Sequence, residues 1–231
     1  MTLPEIHADL QRRLEAKYSA REVGLANGRQ AIRRCANAIR ATHRGQLAAA
    51  DELLDEARGL LDVAEAALAA HPDIYYAGFL QDGQKEYAEA RATRALIAGE
   101  PLPGPGDLGV GDVPYLNGLA EAVGELRRHL LDELRRGDSA RAAAAFAAMD
   151  EIYGLLVQID YPDAMTAGLR RSTDVARSIL ERTRGDLTLT LVQHELASAL
   201  RLGPAAGSIP AAPAPHREPP GEGPDPDPAG G

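Results

Sequence analysis

Apolar residues along most of this chain recur every three or four positions, the spacing that lines one face of an α-helix, and a glycine or proline closes each run. Thr2 followed by Glu5 reads as a capping box, from which a helical pattern runs toward Lys17. From Arg21 to His43 the positions Val23, Ala26, Ile32, Cys35, Ala36 and Ile39 keep the helical interval until Gly45, so one long helix is predicted, straight or bent near Tyr18 or Gly24. Gln46 to Ala70 forms the second, with Leu47, Leu53, Leu54, Leu60, Leu61 and Leu68 on its apolar side, and His71-Pro72 ends it. Asp73 caps a third helix reaching Ala98, after which the glycines and prolines of 99–112 predict a loop. A fourth helix spans Val113 or Pro114 to Arg136, with Gly137 as its stop. Asp138 or Ser139 caps a fifth that ends near Tyr161-Pro162; Asp163 opens a sixth, and Gly185-Asp186 divides it from a seventh ending at Leu202. The expectation is an all-α, seven-helix antiparallel bundle.

Composition adds the tail. Residues 203–231 hold nine of the sixteen prolines and cannot bury a core, so a single domain over 1–202 followed by a disordered Pro/Gly-rich tail is expected. Trp is absent and aromatics are 4%, which leaves Leu, Ala, Ile and Val to build the interior. The single cysteine, Cys35, excludes an internal disulfide framework and a Cys-based zinc site, and reads as a small buried residue in a reducing compartment. The N-terminus has no basic start with an apolar core behind it, and no run of 18 apolar residues occurs, so a cytoplasmic protein that does not span a membrane is expected.

Net charge is −9, which opposes a broadly basic nucleic-acid binder. The tail accounts for part of it through Glu218, Glu222, Asp225 and Asp227 against Arg217. Against that background the first helix is locally basic, with Arg21, Arg29, Arg33, Arg34, Arg40, His43 and Arg44 facing only Glu22. Arg29, Arg33 and Arg40 share a face and present fixed cations suited to phosphates; the alternative is a solvated face neutralised by the acidic second helix.

Two glutamate pairs are the candidate chemistry. Glu86 and Glu89 are spaced i, i+3, and Glu121 and Glu125 are spaced i, i+4 within the apolar surroundings of Leu116, Leu119, Val123 and Leu126. If the two helices pack antiparallel with the pairs facing, the carboxylates converge into the hard-oxygen environment that Mg²⁺ or Mn²⁺ prefers. Solvated helix faces are the competing account. A ferritin-like di-iron site would need Glu-x-x-His, whereas His129 stands four residues after Glu125; it could stack one turn beyond Glu125 and join a metal site, but beside Arg127 and Arg128 it reads more simply as a surface residue. No glycine-rich phosphate loop, nucleophile elbow or paired Cys/His motif is present.

The same stretches resemble the translin family. Gln84-Lys85-Glu86-Tyr87-Ala88-Glu89-Ala90 is similar to the family's Gln-Glu-Tyr-Val-Glu-Ala, with Lys85 as an extra residue. Asp112 to Leu126 resembles its Asp-Tyr-Leu-Leu-Gly-x-Ala-Asp-Leu-Thr-Gly-Glu-Leu segment, and Arg29, Ile39 and His43-Arg44 match the spacing of an arginine, an isoleucine and a His-Arg pair in its first long helix. The resemblance covers 1–202 and implies a helical bundle of translin type that assembles into closed homo-oligomers around RNA or single-stranded DNA. It further implies a metal-dependent endoribonuclease in which Glu86, Glu89, Glu121 and Glu125 hold Mg²⁺ or Mn²⁺, with Glu121 standing where the family more often has aspartate. Arg29, Arg33, Arg40, His43 and Arg44 would hold the single-stranded nucleic acid. The alternatives are a non-catalytic oligomeric binder of single-stranded RNA or DNA, and a helical scaffold with no nucleic-acid role.

Overall fold

The computed structural model describes residues 1–201, and helix is the only regular structure among them. The expected tail, 203–231, lies outside the described residues. Contacts divide the chain into two units, Met1–Val192 and Gln193–Gly231, and the bundle and all the chemistry below belong to the first. Six long helices, α1 (Leu3–His43), α2 (Leu47–Leu68), α4 (Phe79–Ala98), α6 (Asp112–Arg136), α7 (Ser139–Leu156) and α9 (Leu169–Arg201), are joined through three four-residue turns of helix. Those turns are α3 (Pro72–Tyr75), α5 (Pro105–Leu108) and α8 (Asp163–Thr166).

Local signals start and stop most of these elements. Glu5 reaches back to accept from the Thr2 N–H at 2.6 Å, opening α1, which then runs unbroken to His43. Gly45, Gly99 and Gly137 follow α1, α4 and α6 with φ of 74°, 72° and 82°, the left-handed conformation that closes a helix and suits a residue lacking Cβ. Asp138 accepts from the Arg141 N–H at 2.9 Å and caps α7.

Small residues set the packing. The buried side of α2 is Ala50, Leu54, Ala57, Leu61, Ala64 and Leu68, a strict alternation of four and three in which every second residue is alanine. It lies against Gly24, Gly28, Ala31, Cys35 and Ala38 of α1. A Cβ on Gly24 would stand 2.7 Å from Leu68 Cδ1, so leucines of α2 fill the depressions that α1 leaves. The leucines read from sequence are thus half the account, and alanines Ala50, Ala57 and Ala64 supply the close approach.

The sequence places a helix break at Gly185-Asp186, whereas α9 continues through it. A glycine inside a helix costs about 1 kcal/mol against alanine. Here tertiary contacts offset that cost: Arg127 donates to Thr183 Oγ1 at 2.7 Å and to Asp186 at 2.8 Å, on either side of Gly185, and Leu187 is buried.

The course of 99–111 decides how the carboxylate helices meet. Gly111 lies near Gln84, Gly118 lies against Lys85 to Glu89, and Glu125 reaches His43 at the far end of α1. Gly28 of α1 touches Phe79 and Gly83 near the start of α4, so α1, α4 and α6 all run in one direction. α4 and α6 are therefore parallel neighbours, where the sequence reading supposed an antiparallel pair. Thirteen residues span up to about 45 Å extended, more than the roughly 30 Å length of α4, so 99–111 carries the chain back along the bundle. Arg58 of α2 donates to the Leu108 and Gly109 carbonyls at 3.2 Å, and Tyr115 Oη donates to the Pro103 carbonyl at 2.9 Å. These bonds fix the returning segment to the bundle.

Candidate metal centre

Gly118 brings the site together. A Cβ at this position would stand 2.6 Å from the Lys85 carbonyl oxygen, 2.9 Å from Ala88 Cβ and 2.9 Å from the Glu89 nitrogen. Only a hydrogen fits there, so α6 rests directly on the backbone of α4. Asn117 fixes the rotation of α6 from its other side, donating to the Thr166 carbonyl at 3.1 Å while its oxygen accepts from Ser172 at 2.9 Å.

With the backbones this close, Glu86 and Glu89 of α4 and Glu121 of α6 each offer a carboxylate oxygen within 4.8 Å of the others. Three of the four glutamates expected from sequence therefore converge, and they do so between parallel helices. Glu89 is the most enclosed electrostatically. Burial pushes its carboxyl up to about 8, and the charges of Glu86, Glu121 and Glu125 add to the shift. Burial also raises Glu86, helped by Glu121 and opposed by Lys85. A neighbouring groove of about 340 Å³, lined by Glu89, Ala120, Glu121, Arg171, Ser172, Val175 and Ile179, opens the cluster toward α9.

Lys85 is the one cation bonded to the cluster among the described residues. Its Nζ donates to Glu121 at 2.7 Å and lies 3.5 Å from Glu86. Burial alone would lower its pKa, but the bond and attraction to Glu121 outweigh it and keep the ammonium above its ordinary value.

Glu125 stands apart from this group. His43 Nε2 is 2.5 Å from its carboxylate and Arg128 lies 3.7 Å away. The hydrogen bond from His43 holds Glu125 below the usual carboxylate range. His43, grouped with arginines from the sequence, is thus separated from them by the structure: its side chain is 4% exposed, whereas Arg29, Arg33 and Arg40 are exposed on α1 and Arg44 is exposed just past its end. His129, read as a surface residue, is buried; burial lowers its pKa, and it lies beside Glu133, not Glu125. Cys35 is buried as expected, and burial together with the charges of Glu86 and Glu89 pushes its thiol up to about 12, which leaves it a packing residue.

Two contributors escape a reading of the sequence. Arg171 borders the groove from α9, and nothing in its local sequence distinguishes it from neighbouring arginines. Gly118 carries a signal in hindsight, since a glycine among good helix formers, away from any helix end, marks a close approach.

The donor set fits a hard divalent cation: three carboxylates at mutual reach, mixed burial, and a like-charge repulsion that one ammonium does not cancel. No helix among the described residues is long and apolar enough to cross a membrane.

No protein-family profile matches the chain. An uncharacterized protein of Methanocaldococcus jannaschii, MJ0175, is 31% identical over 184 residues, 78% of this chain and 80% of its own. AfC3PO in complex with duplex RNA is 35% identical over 80% of this chain and 96% of its own, with a TM-score of 0.75. AfC3PO alone is 34% identical over 80% and 97%, with the same TM-score. The structure of apo-NeC3PO shares the fold, with a TM-score of 0.72 at 22% identity over 82% of this chain and 99% of that one. Identity at this level over nearly the full length of AfC3PO, on one helical architecture, places the chain in the translin family, among the C3PO proteins.

Proposed function

We propose that this chain is a divalent-cation-dependent endoribonuclease working within a homo-oligomer. The observation that carries the reading is the convergence of Glu86, Glu89 and Glu121 within 4.8 Å, with Glu89 pushed up to about 8 by burial and its acidic neighbours. Carboxylates held together at such a cost are explained by a cation that neutralises them. A bound Mg²⁺ or Mn²⁺ supplies Lewis acidity toward a phosphate oxygen and toward the attacking water. Glu86, Glu89 and Glu121 hold the cation, and Glu125, fixed by His43, borders the site and lends it negative charge. Arg171 meets the RNA backbone at the groove, and exposed Arg29, Arg33 and Arg40 of α1, with Arg44 just past its end, hold it without reading bases.

RNA is the substrate class. AfC3PO has been seen in complex with duplex RNA, so double-stranded RNA is included as a candidate substrate beside the single-stranded RNA suggested by the motifs. The oligomer is supported by α1 itself. Leu3, Ile6, Leu10, Leu14 and Tyr18 are exposed on its first turns, roughly in line with the face that downstream buries Gly24, Gly28, Ala31 and Cys35. A helix segment with an uncovered apolar stripe is marginal in water, and a second copy would cover it. A cytoplasmic location is consistent with one buried, unpaired cysteine.

The non-catalytic binder keeps one observation in its favour, the ammonium of Lys85 already bonded within the cluster. Labelled single-stranded and duplex RNA incubated with Mg²⁺ or with EDTA decides between them. Cleavage with metal by the unaltered protein, absent in Glu89→Ala with RNA still retained, is the expected result. Retention without cleavage in every lane would move the chain to the binding class, and no retention would leave only a scaffold.

A further inference from the structure

Lys85 directly precedes Glu86, and its backbone is pinned. The carbonyl oxygen of Lys85 is the atom against which Gly118 of α6 packs, so the start of its side chain is fixed relative to both carboxylate helices. From there Nζ reaches Glu121 at 2.7 Å and Glu86 at 3.5 Å, bridging the two helices across the cluster. The side chain is only 24% exposed, unlike the arginines along α1.

We propose that Lys85 is the resident counter-cation of the carboxylate cluster, so that a divalent ion binds in competition with its ammonium and with an affinity that Lys85 sets. The inference rests on the metal-dependent reading above and concerns how the site is tuned. An ammonium bonded to one ligand and adjacent to a second already occupies acceptor sites that a metal would use. Even after yielding them it stays on a stem anchored at the cluster, and its positive charge opposes that of the incoming ion. Lys85 does not bond Glu89, and its ammonium offsets only part of the charge that Glu86, Glu121 and Glu125 place on that carboxyl.

The test is a Mn²⁺ titration followed by electron paramagnetic resonance, on the full chain without RNA, for the unaltered protein and for Lys85→Met, Lys85→Arg and Glu89→Gln. Lys85→Met removes the charge while keeping most of the stem, and it should bind Mn²⁺ on the order of tenfold more tightly. Lys85→Arg keeps the charge and should stay within about threefold of the unaltered protein. Circular dichroism checks that each variant keeps its helix content. Equal or weaker binding by Lys85→Met, with binding by the unaltered protein and its loss in Glu89→Gln, would overturn the role of Lys85 and leave the metal site standing. Absence of Mn²⁺ binding in every folded variant would overturn both.

Discussion

Glu121 and Glu133 lie on the same helix about three turns apart, and their carboxylates live in opposite circumstances. Glu133 is 2% exposed, yet Arg136 donates to it at 2.5 Å and the ring of His129 lies 3.8 Å away. Glu125, between them, has His43 and Arg128. Upstream, Glu86, Glu89 and Glu121 crowd within 4.8 Å and share a single lysine. The direction of pKa displacement follows: His43 pulls Glu125 down, while burial and neighbouring carboxylates push Glu89 up. Each paired carboxylate has a cationic or imidazole partner within the fold, whereas the crowded ones share one ammonium among three.

The comparison breaks most completely at Gly118. Gly118→Val inserts atoms where even a Cβ would lie 2.6 Å from the Lys85 carbonyl, forcing α6 away from α4. A loss of about 1–3 kcal/mol in urea unfolding is expected together with complete loss of Mn²⁺ binding. Retained binding would show that the cluster does not depend on this contact.

His43→Ala probes the paired side. It leaves Glu125 without its hydrogen bond, and a loss of about 1.5 kcal/mol is expected in the same unfolding measurement. Mn²⁺ affinity should change by no more than a few-fold, because Glu125 lies outside the three-carboxylate cluster. A collapse of affinity instead would make Glu125 a ligand.

Glu89→Gln acts with the opposite sign. The folded carboxyl sits near 8, above its ordinary 4.5, so between those pH values the folded state keeps a proton that the unfolded state has released. Stability of the metal-free protein therefore declines as pH rises through that window, and glutamine removes the decline. With EDTA present, the variant should match the unaltered protein at pH 4.5 and exceed it by about 2–4 °C in Tm at pH 8. A lower Tm at pH 8 would mean that Glu89 is stabilised by contacts other than those described.

The smallest effect on the fold belongs to the exposed cations. Arg29→Ala/Arg33→Ala should leave stability within about 0.5 kcal/mol and Mn²⁺ binding unchanged. Its signature is a salt dependence of RNA binding shallower by about two in log–log slope. An unchanged slope would remove these arginines from the RNA path.

Much of this was legible in the residues because the signals were local. Gly45, Gly99 and Gly137 each close a helix in the left-handed conformation, and the spacing of Glu86 with Glu89 is a property of one helix. What the sequence withheld was tertiary. Nothing local says that 99–111 returns along the bundle instead of turning back, since that course depends on Arg58 and Tyr115, distant in sequence, reaching its carbonyls. Gly185 looks like a stop until Arg127 is seen bonding on either side of it. His43 and Glu125 are 82 residues apart, so neither the removal of that histidine from the basic stripe nor the separation of Glu125 from the cluster could be read from spacing.

Burial, with the charges of Glu86, Glu121 and Glu125 added, favours the protonated form of Glu89, and a divalent cation bound by its carboxylate would displace that proton. Calorimetric titration of Mn²⁺ into the protein at pH 7, in two buffers of different ionisation enthalpy, counts that proton directly. A carboxyl near 8 is mostly protonated at pH 7, so net proton release on ion binding is expected, lost along with the binding in Glu89→Gln. Tight binding with no proton released would contradict the account, because the cation would then be held by carboxylates that were never under strain.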